Sequence, residues 1–186
     1  FFLYTAFAAG HSPHHVPRAF ADKYKGRFDN GWDAAREKIL DRQKASGLLP
    51  ADQRLAPRNA GVQDWDELSA EEQQTAARFE EVFAGFMEHT DVQIGRLLAQ
   101  LDALGKRDDT IVIAMSDNGA AALGGPHGSY DHHRSRTGNR PTVEENLAHL
   151  DELGGPMSYG IYPFGWAMAG NSPFKRYKGN TYAGGI

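Results

Sequence analysis

At 186 residues, with 40 % hydrophobic and 24 % charged side chains, the chain has the composition of a globular domain large enough to bury one good core. A net charge of −4 and a pI near 6.1 provide no basic field for a nucleic-acid backbone, so nucleic acid is set aside as a partner, and no apolar run approaches the roughly 20 residues needed to cross a bilayer. The absence of cysteine excludes disulfides, thiolate metal sites and a cysteine nucleophile within these residues.

Phe1 to Ala6 reads as a buried strand that breaks into the polar loop Gly10-His11-Ser12-Pro13-His14-His15-Val16-Pro17. Prolines 13 and 17 hold the residues before them extended, so this loop is stiff enough to aim a side chain. Arg18 to Lys25 suggests a short helix, Gly26 to Trp32 a turn, and Asp33 to Ala45 a mainly polar helix; Gly47 to Gln63, rich in proline and glycine, is expected to be a surface excursion. Ser69-Ala-Glu-Glu72 forms a capping box, which opens the longest helix. Its apolar stripe, Phe79, Phe83, Phe86, Met87, Thr90, Ile94, Leu97, Leu98 and Leu101, recurs at steps of three and four and suits packing on a sheet. His89 and Asp91 flank that stripe and read as a surface pair. Gly105 ends the helix.

Thr110 to Gly119 is the organising stretch. Ile111 to Met115 has the β-branched, apolar character of a strand buried in a parallel sheet, and it stops at Ser116-Asp117-Asn118-Gly119. Asp-Asn-Gly is a common turn, with Gly119 expected at positive φ. At the end of a buried strand, however, it also places a carboxylate and a carboxamide where ligands sit in open α/β sheets, and these are two oxygen donors of the kind a hard cation takes. A strand, helices, strand order predicts a right-handed crossover, with the His11 loop and the Asp117-Asn118 loop at one edge of the sheet.

Beyond it, His127, His132 and His133 have no closed zinc spacing and read as a solvated, histidine-bearing loop. Thr142 and Glu145 make a second capping box. Tyr159 to Trp166 is either a substrate-facing wall, with Tyr159, Tyr162 and Trp166 exposed to it, or part of the core. Lys175, Arg176 and Lys178 form a cationic patch that suits either open surface or an anion site. The sequence has no initiator Met, residue 1 falls inside a predicted strand, and the carboxyl end stops in a turn, so we expect residues 1–186 to be part of a catalytic domain truncated at both ends.

Taken together, Phe-Leu-Tyr-Thr-Ala-Phe with His11-Ser-Pro-His-His-Val-Pro17, Asp117-Asn118-Gly119 after a long helix carrying Glu88-His89-Thr90-Asp91 and Ile94-Gly95, and Lys178-Gly-Asn-Thr-Tyr-Ala-Gly-Gly-Ile resemble the formylglycine-dependent sulfatases, most of all bacterial arylsulfatases. The resemblance spans essentially the whole chain. It implies an α/β fold, the alkaline-phosphatase-like three-layer sandwich with a mostly parallel central sheet, and hydrolysis of sulfate monoesters with one calcium ion and a formylglycine. That residue is made by a formylglycine-generating enzyme, which the resemblance implies as a partner. Position by position, Asp117 and Asn118 match the family's second pair of metal ligands, His11 its sulfate-contacting histidine, and Lys178 the lysine near the sulfate and the leaving oxygen. Family members are often exported, which implies a periplasmic or extracellular setting.

The chain departs from the family pattern in having no Cys/Ser-x-Pro-x-Arg nucleophile motif and no upstream aspartate pair, and in carrying Ala183 where a glutamate usually precedes Gly-Gly. The rivals are a phosphodiester or phosphonate hydrolase of the same superfamily and a non-catalytic relative that lost the nucleophile. Asn118, where the two-metal relatives carry histidine, favours a single hard cation.

Overall fold

The computed structural model describes residues 1–185, so Ile186, the last residue of the carboxyl-terminal motif, lies outside the described residues. The chain forms six α-helices among these residues: α1 (Arg18–Asp22), α2 (Gly31–Ala45), α3 (Ala70–Ala103), α4 (His132–Arg136), α5 (Val143–Ala148) and α6 (Phe164–Gly170), with 3₁₀ turns at Trp65–Glu67 and Leu150–Glu152. No helix is long and apolar enough to cross a membrane among the described residues.

Helix α3 begins as its sequence dictates. The Ser69 side chain accepts from the Glu72 backbone N–H while the Glu72 carboxylate accepts from the Ser69 N–H, which satisfies two donors that the first helical turn leaves open. Thr142 and Glu145 do the same for α5. The first half of the α3 stripe is buried through Ala76, Phe79, Val82 and Phe86. Three indoles meet above it, Trp32 from α2, Trp65 from the first 3₁₀ turn and Trp166 from α6, with ring centroids 4.9 to 5.9 Å apart. The Trp166 N–H donates to the Ala76 carbonyl at 2.8 Å, and the Trp32 N–H donates to that of Gln63 at 3.1 Å, so neither polar edge is orphaned in the core. Gly31 opens α2 at φ +74°, and a Cβ there would overlap the Trp65 ring.

Several expectations are corrected. Phe1 to Ala6 and Ile111 to Met115 are exposed, irregular segments, with Phe1 88 %, Phe2 89 % and Ile111 90 % exposed, and the described residues form no sheet. Isolated bridges, Ser129 with Ile161 and Asp131 with Tyr159, are the β-type pairings present among them. The reason is that a strand's N–H and C=O groups need a neighbouring strand, and among the described residues neither segment forms a ladder with the other or with a third. For the same reason the second half of the α3 stripe has no sheet to cover it, leaving Met87 and Leu97 exposed. The Gly47 to Gln63 stretch is not a free surface excursion. Asn59 and Val62 are buried, the Ala56 N–H donates to Pro173 O at 3.1 Å, and the Asn59 side-chain oxygen accepts from the Arg176 N–H at 3.1 Å. It packs beneath the carboxyl-terminal segment.

Candidate active site

The Asp117 turn is built from its own side chains and from the far end of the chain. The Ser116 hydroxyl donates to the Asn118 carbonyl at 2.8 Å, closing the turn, with Asp117 exposed and Asn118 half-buried. Gly119 is not at positive φ, contrary to the sequence expectation; glycine is needed there because a Cβ would fall on the Gly184 carbonyl. The next residue is held from both sides. The Ala120 N–H donates to the Asn171 side-chain oxygen at 3.0 Å, and its carbonyl accepts from the Lys178 backbone N–H, also at 3.0 Å. Asn171 also donates to Gly184 O at 2.8 Å and Arg176 O at 2.9 Å. One carboxamide therefore fastens the carboxyl-terminal segment to the turn and sets the Lys178 backbone two residues from Asn118. The Lys178 side chain is exposed and makes no ion pair among the described residues.

His11 occupies a second neighbourhood. Its Nδ1 is 2.7 Å from Ser12 O and donates to it, which leaves Nε2 as the nitrogen that gains the proton in the imidazolium form. The loop behind it docks on residues 154–160: the His14 N–H donates to Gly160 O at 3.2 Å, Val16 N–H to Gly154 O at 3.0 Å, and the His15 ring bonds Ser158 O at 2.7 Å. The His14 ring is packed among Phe83, Phe86 and Tyr162 at centroid distances of 5.0 to 5.9 Å. Burial, helped by repulsion from His11, His15 and His132, lowers its pKa from 6.5 to about 3, so the ring is neutral.

His132 lies on the other side of the same segment, its N–H donating to Tyr159 O at 2.9 Å. It is 3 % exposed, which corrects the reading of a solvated loop. Both its ring nitrogens lack partners, and burial, then repulsion from Arg136, Arg140, His133 and His11, lowers its pKa. His127 turns away to pair with Glu72 at 3.3 Å, and His133 packs on Tyr159 at 4.3 Å, so the three do not converge. Tyr162 and Trp166 are buried in the core rather than lining a wall, while Tyr159 is half-buried between histidines. His89 packs edge-on against Phe20 at 4.9 Å.

The structure thus brings the Lys178 backbone to the Asp117-Asn118 turn and docks the loop behind His11 on residues 154–160. No hydrogen bond or ion pair joins the two sets among the described residues. Nor do three His, Asp or Glu side chains gather there around one metal position. As donors, Asp117 and Asn118 fit a hard cation by kind, one carboxylate and one carbonyl oxygen against the six to eight oxygens that calcium takes. The sequence reading missed Asn171, whose role depends on segments distant in sequence meeting, while of its two alternatives for Tyr162 the core is the one observed.

A family model described as sulfatase matches residues 1–186. The chain is 37 % identical over 187 residues to an uncharacterized sulfatase of Schizosaccharomyces pombe, covering all of this chain and 33 % of the relative. It is 28 % identical over 186 residues to an arylsulfatase of Klebsiella aerogenes, again over the whole chain and 38 % of the relative. The chain spans about a third of the length of these curated relatives.

Proposed function

Because the chain belongs to the sulfatase family, we propose that it supplies the leaving-group and cation-binding side of an active site that hydrolyses sulfate monoesters, with an aryl sulfate as the simplest substrate. The observation that carries this reading is the Lys178 to Ala120 hydrogen bond, which seats a cationic residue next to a carboxylate-carboxamide turn. Asp117 and Asn118 would hold one calcium ion, whose contribution when bound is positive charge against the sulfate oxygens. Lys178 stabilises negative charge as it develops on the departing oxygen, and His11, protonated at Nε2, donates to a sulfate oxygen. Lys178 favours the transition state over the ground state, because the charge on the departing oxygen grows along the reaction, while His11 fixes the charged sulfate oxygens in place. The nucleophile, a formylglycine, comes from outside these residues, as do the other metal ligands. The segment by itself is therefore inactive, and the full-length protein depends on a formylglycine-generating enzyme.

The test is turnover of an aryl sulfate by the full-length protein coexpressed with that enzyme. We expect calcium-dependent hydrolysis, with His11→Ala and Lys178→Ala each losing about 10² to 10³ in kcat, the scale of one lost oxyanion donor. Asp117→Ala should lower bound calcium, measured by elemental analysis. Turnover of a phosphodiester but not of the sulfate would move the substrate class to the sister hydrolases, and no turnover of either by correctly modified protein would leave a non-catalytic relative.

A further inference from the structure

We propose that Arg176 is a specificity-determining residue whose guanidinium takes a second anionic group, a carboxylate or a further sulfate, on the leaving-group side of the sulfate ester; this inference rests on the sulfatase reading above. Arg176 is the one non-glycine residue at positive φ among the described residues, at +79°. A side chain is strained there as glycine would not be, and such strain persists where the surroundings over-determine the backbone. Here two side-chain amides do so. The Arg176 N–H donates to the Asn59 side-chain oxygen at 3.1 Å, and its carbonyl accepts from the Asn171 side-chain amide at 2.9 Å. The direction of its Cα–Cβ bond is thereby fixed by two segments distant in sequence. The same Asn171 accepts from the Ala120 N–H, and the Ala120 carbonyl accepts from the Lys178 N–H. One carboxamide therefore ties Arg176 to the residue two places beyond Asn118, beside the cation that would meet the departing oxygen. Tyr177, between the two cations, packs against the core, while Arg176 and Lys178 are exposed. Charge points the same way. In a chain of net charge −4, Lys175, Arg176 and Lys178 place three cations in four positions, and none of them forms an ion pair among the described residues. The body of a sulfate ester continues past its departing oxygen, so an anionic substituent on it lies on the side where Arg176 is held, and a guanidinium fork suits a carboxylate or sulfate through two parallel hydrogen bonds.

An arginine that only solubilised the surface would leave substrate choice untouched. The probes are two aryl sulfates that differ in charge, para-carboxyphenyl sulfate and its methyl ester, turned over by the full-length, formylglycine-modified protein. Two variants separate charge from backbone strain: Arg176→Gly removes the guanidinium and relieves the positive φ, whereas Arg176→Gln removes the charge and keeps the strain. In both we expect the ratio of kcat/KM for the carboxylate to that for the ester to fall about fivefold from its wild-type value, the scale of one well-placed exposed ion pair, with the loss in KM for the carboxylate. The wild-type ratio should itself shrink as added salt screens the pair. Repeating the comparison with the bis-sulfate of hydroquinone in place of the carboxylate tells which anion is taken, and a fall with either supports the inference. A wild-type ratio for both anions in the two variants, or an equal loss for charged and neutral esters, would overturn it. Glycine suits the backbone at this position, so Arg176→Gly should unfold in denaturant no earlier than wild type; failure of that variant to fold would overturn the inference as well, by marking the guanidinium as structural support. If the unsubstituted protein turns over none of these esters, the sulfatase reading itself fails and takes this inference with it, whereas an active wild type with indifferent variants sinks this inference alone.

Discussion

His14 and Glu80 each disfavour their charged form in the fold, because the atoms that would carry the charge are shielded from water. His14 keeps a pKa of about 3 against an ordinary 6.5, so the unfolded chain takes up a proton below pH 6.5 that the fold refuses. Its contribution is therefore complete above pH 6.5 and is lost as pH falls toward 3. At pH 4.5 the loss amounts to about 2 to 3 kcal/mol. Glu80 is the mirror case. Its stem is partly exposed, but its Oε2 has neither solvent nor a partner, and burial raises its pKa well above 4.5. Its contribution is complete below the ordinary carboxyl range and is lost as pH rises from there toward the raised value in the fold. Chemical denaturation of the full-length protein should therefore show Glu80→Gln more stable than wild type at pH 8 and little changed at pH 4, while His14→Phe flattens the acid limb. An acid limb identical in His14→Phe would contradict the assignment. The sequence offered His11, His14 and His15 as three similar histidines. His11 stood out through its motif, whereas the burial of His14 depends on Phe83 and Tyr162, which are distant in sequence.

At the scale of elements, both capping boxes and the long helix were legible, because a helix closes its hydrogen bonds locally and its caps are written within four residues, as at Ser69 to Glu72. The strands were not recoverable in the same way. Ile111 to Met115 has every intrinsic strand feature, yet pairing is a relation with another segment, and the described residues offer none. Gly85 shows a third kind of information. It sits mid-α3, where alanine would raise helix propensity by about 1 kcal/mol, but a Cβ there would come 2.6 Å from the Ala21 backbone nitrogen of α1. Overpacking against main chain cannot be relieved by a rotamer change, so Gly85→Ala should destabilise the full-length protein by about 1 to 3 kcal/mol in denaturant unfolding. A gain in stability would mean that α1 does not pack as described. Since Pro17 caps α1 and ends the His11 loop, that packing also anchors the loop.

For the whole molecule, the sulfatase family implies an alkaline-phosphatase-like fold, and the described residues form six α-helices and the loops that carry the candidate residues. The apolar side chains of Phe1, Phe2, Ile111, Ile113 and Met115 are exposed in a chain that otherwise buries its aromatic core. The candidate site is legible in the same partial way: the motifs named Asp117, Asn118 and Lys178, and the Ala120 bond brings the backbones of two of those motifs together, while among the described residues no hydrogen bond ties His11 to them. Convergence of these groups on one pocket is the central claim, and a crystal structure of the full-length protein grown with calcium and sulfate tests it most directly. It should show Asp117 and Asn118 oxygens about 2.3 to 2.6 Å from the ion, with His11 and Lys178 both hydrogen-bonded to the anion. A calcium ion held without Asp117, or His11 and Lys178 on separate faces, would contradict it.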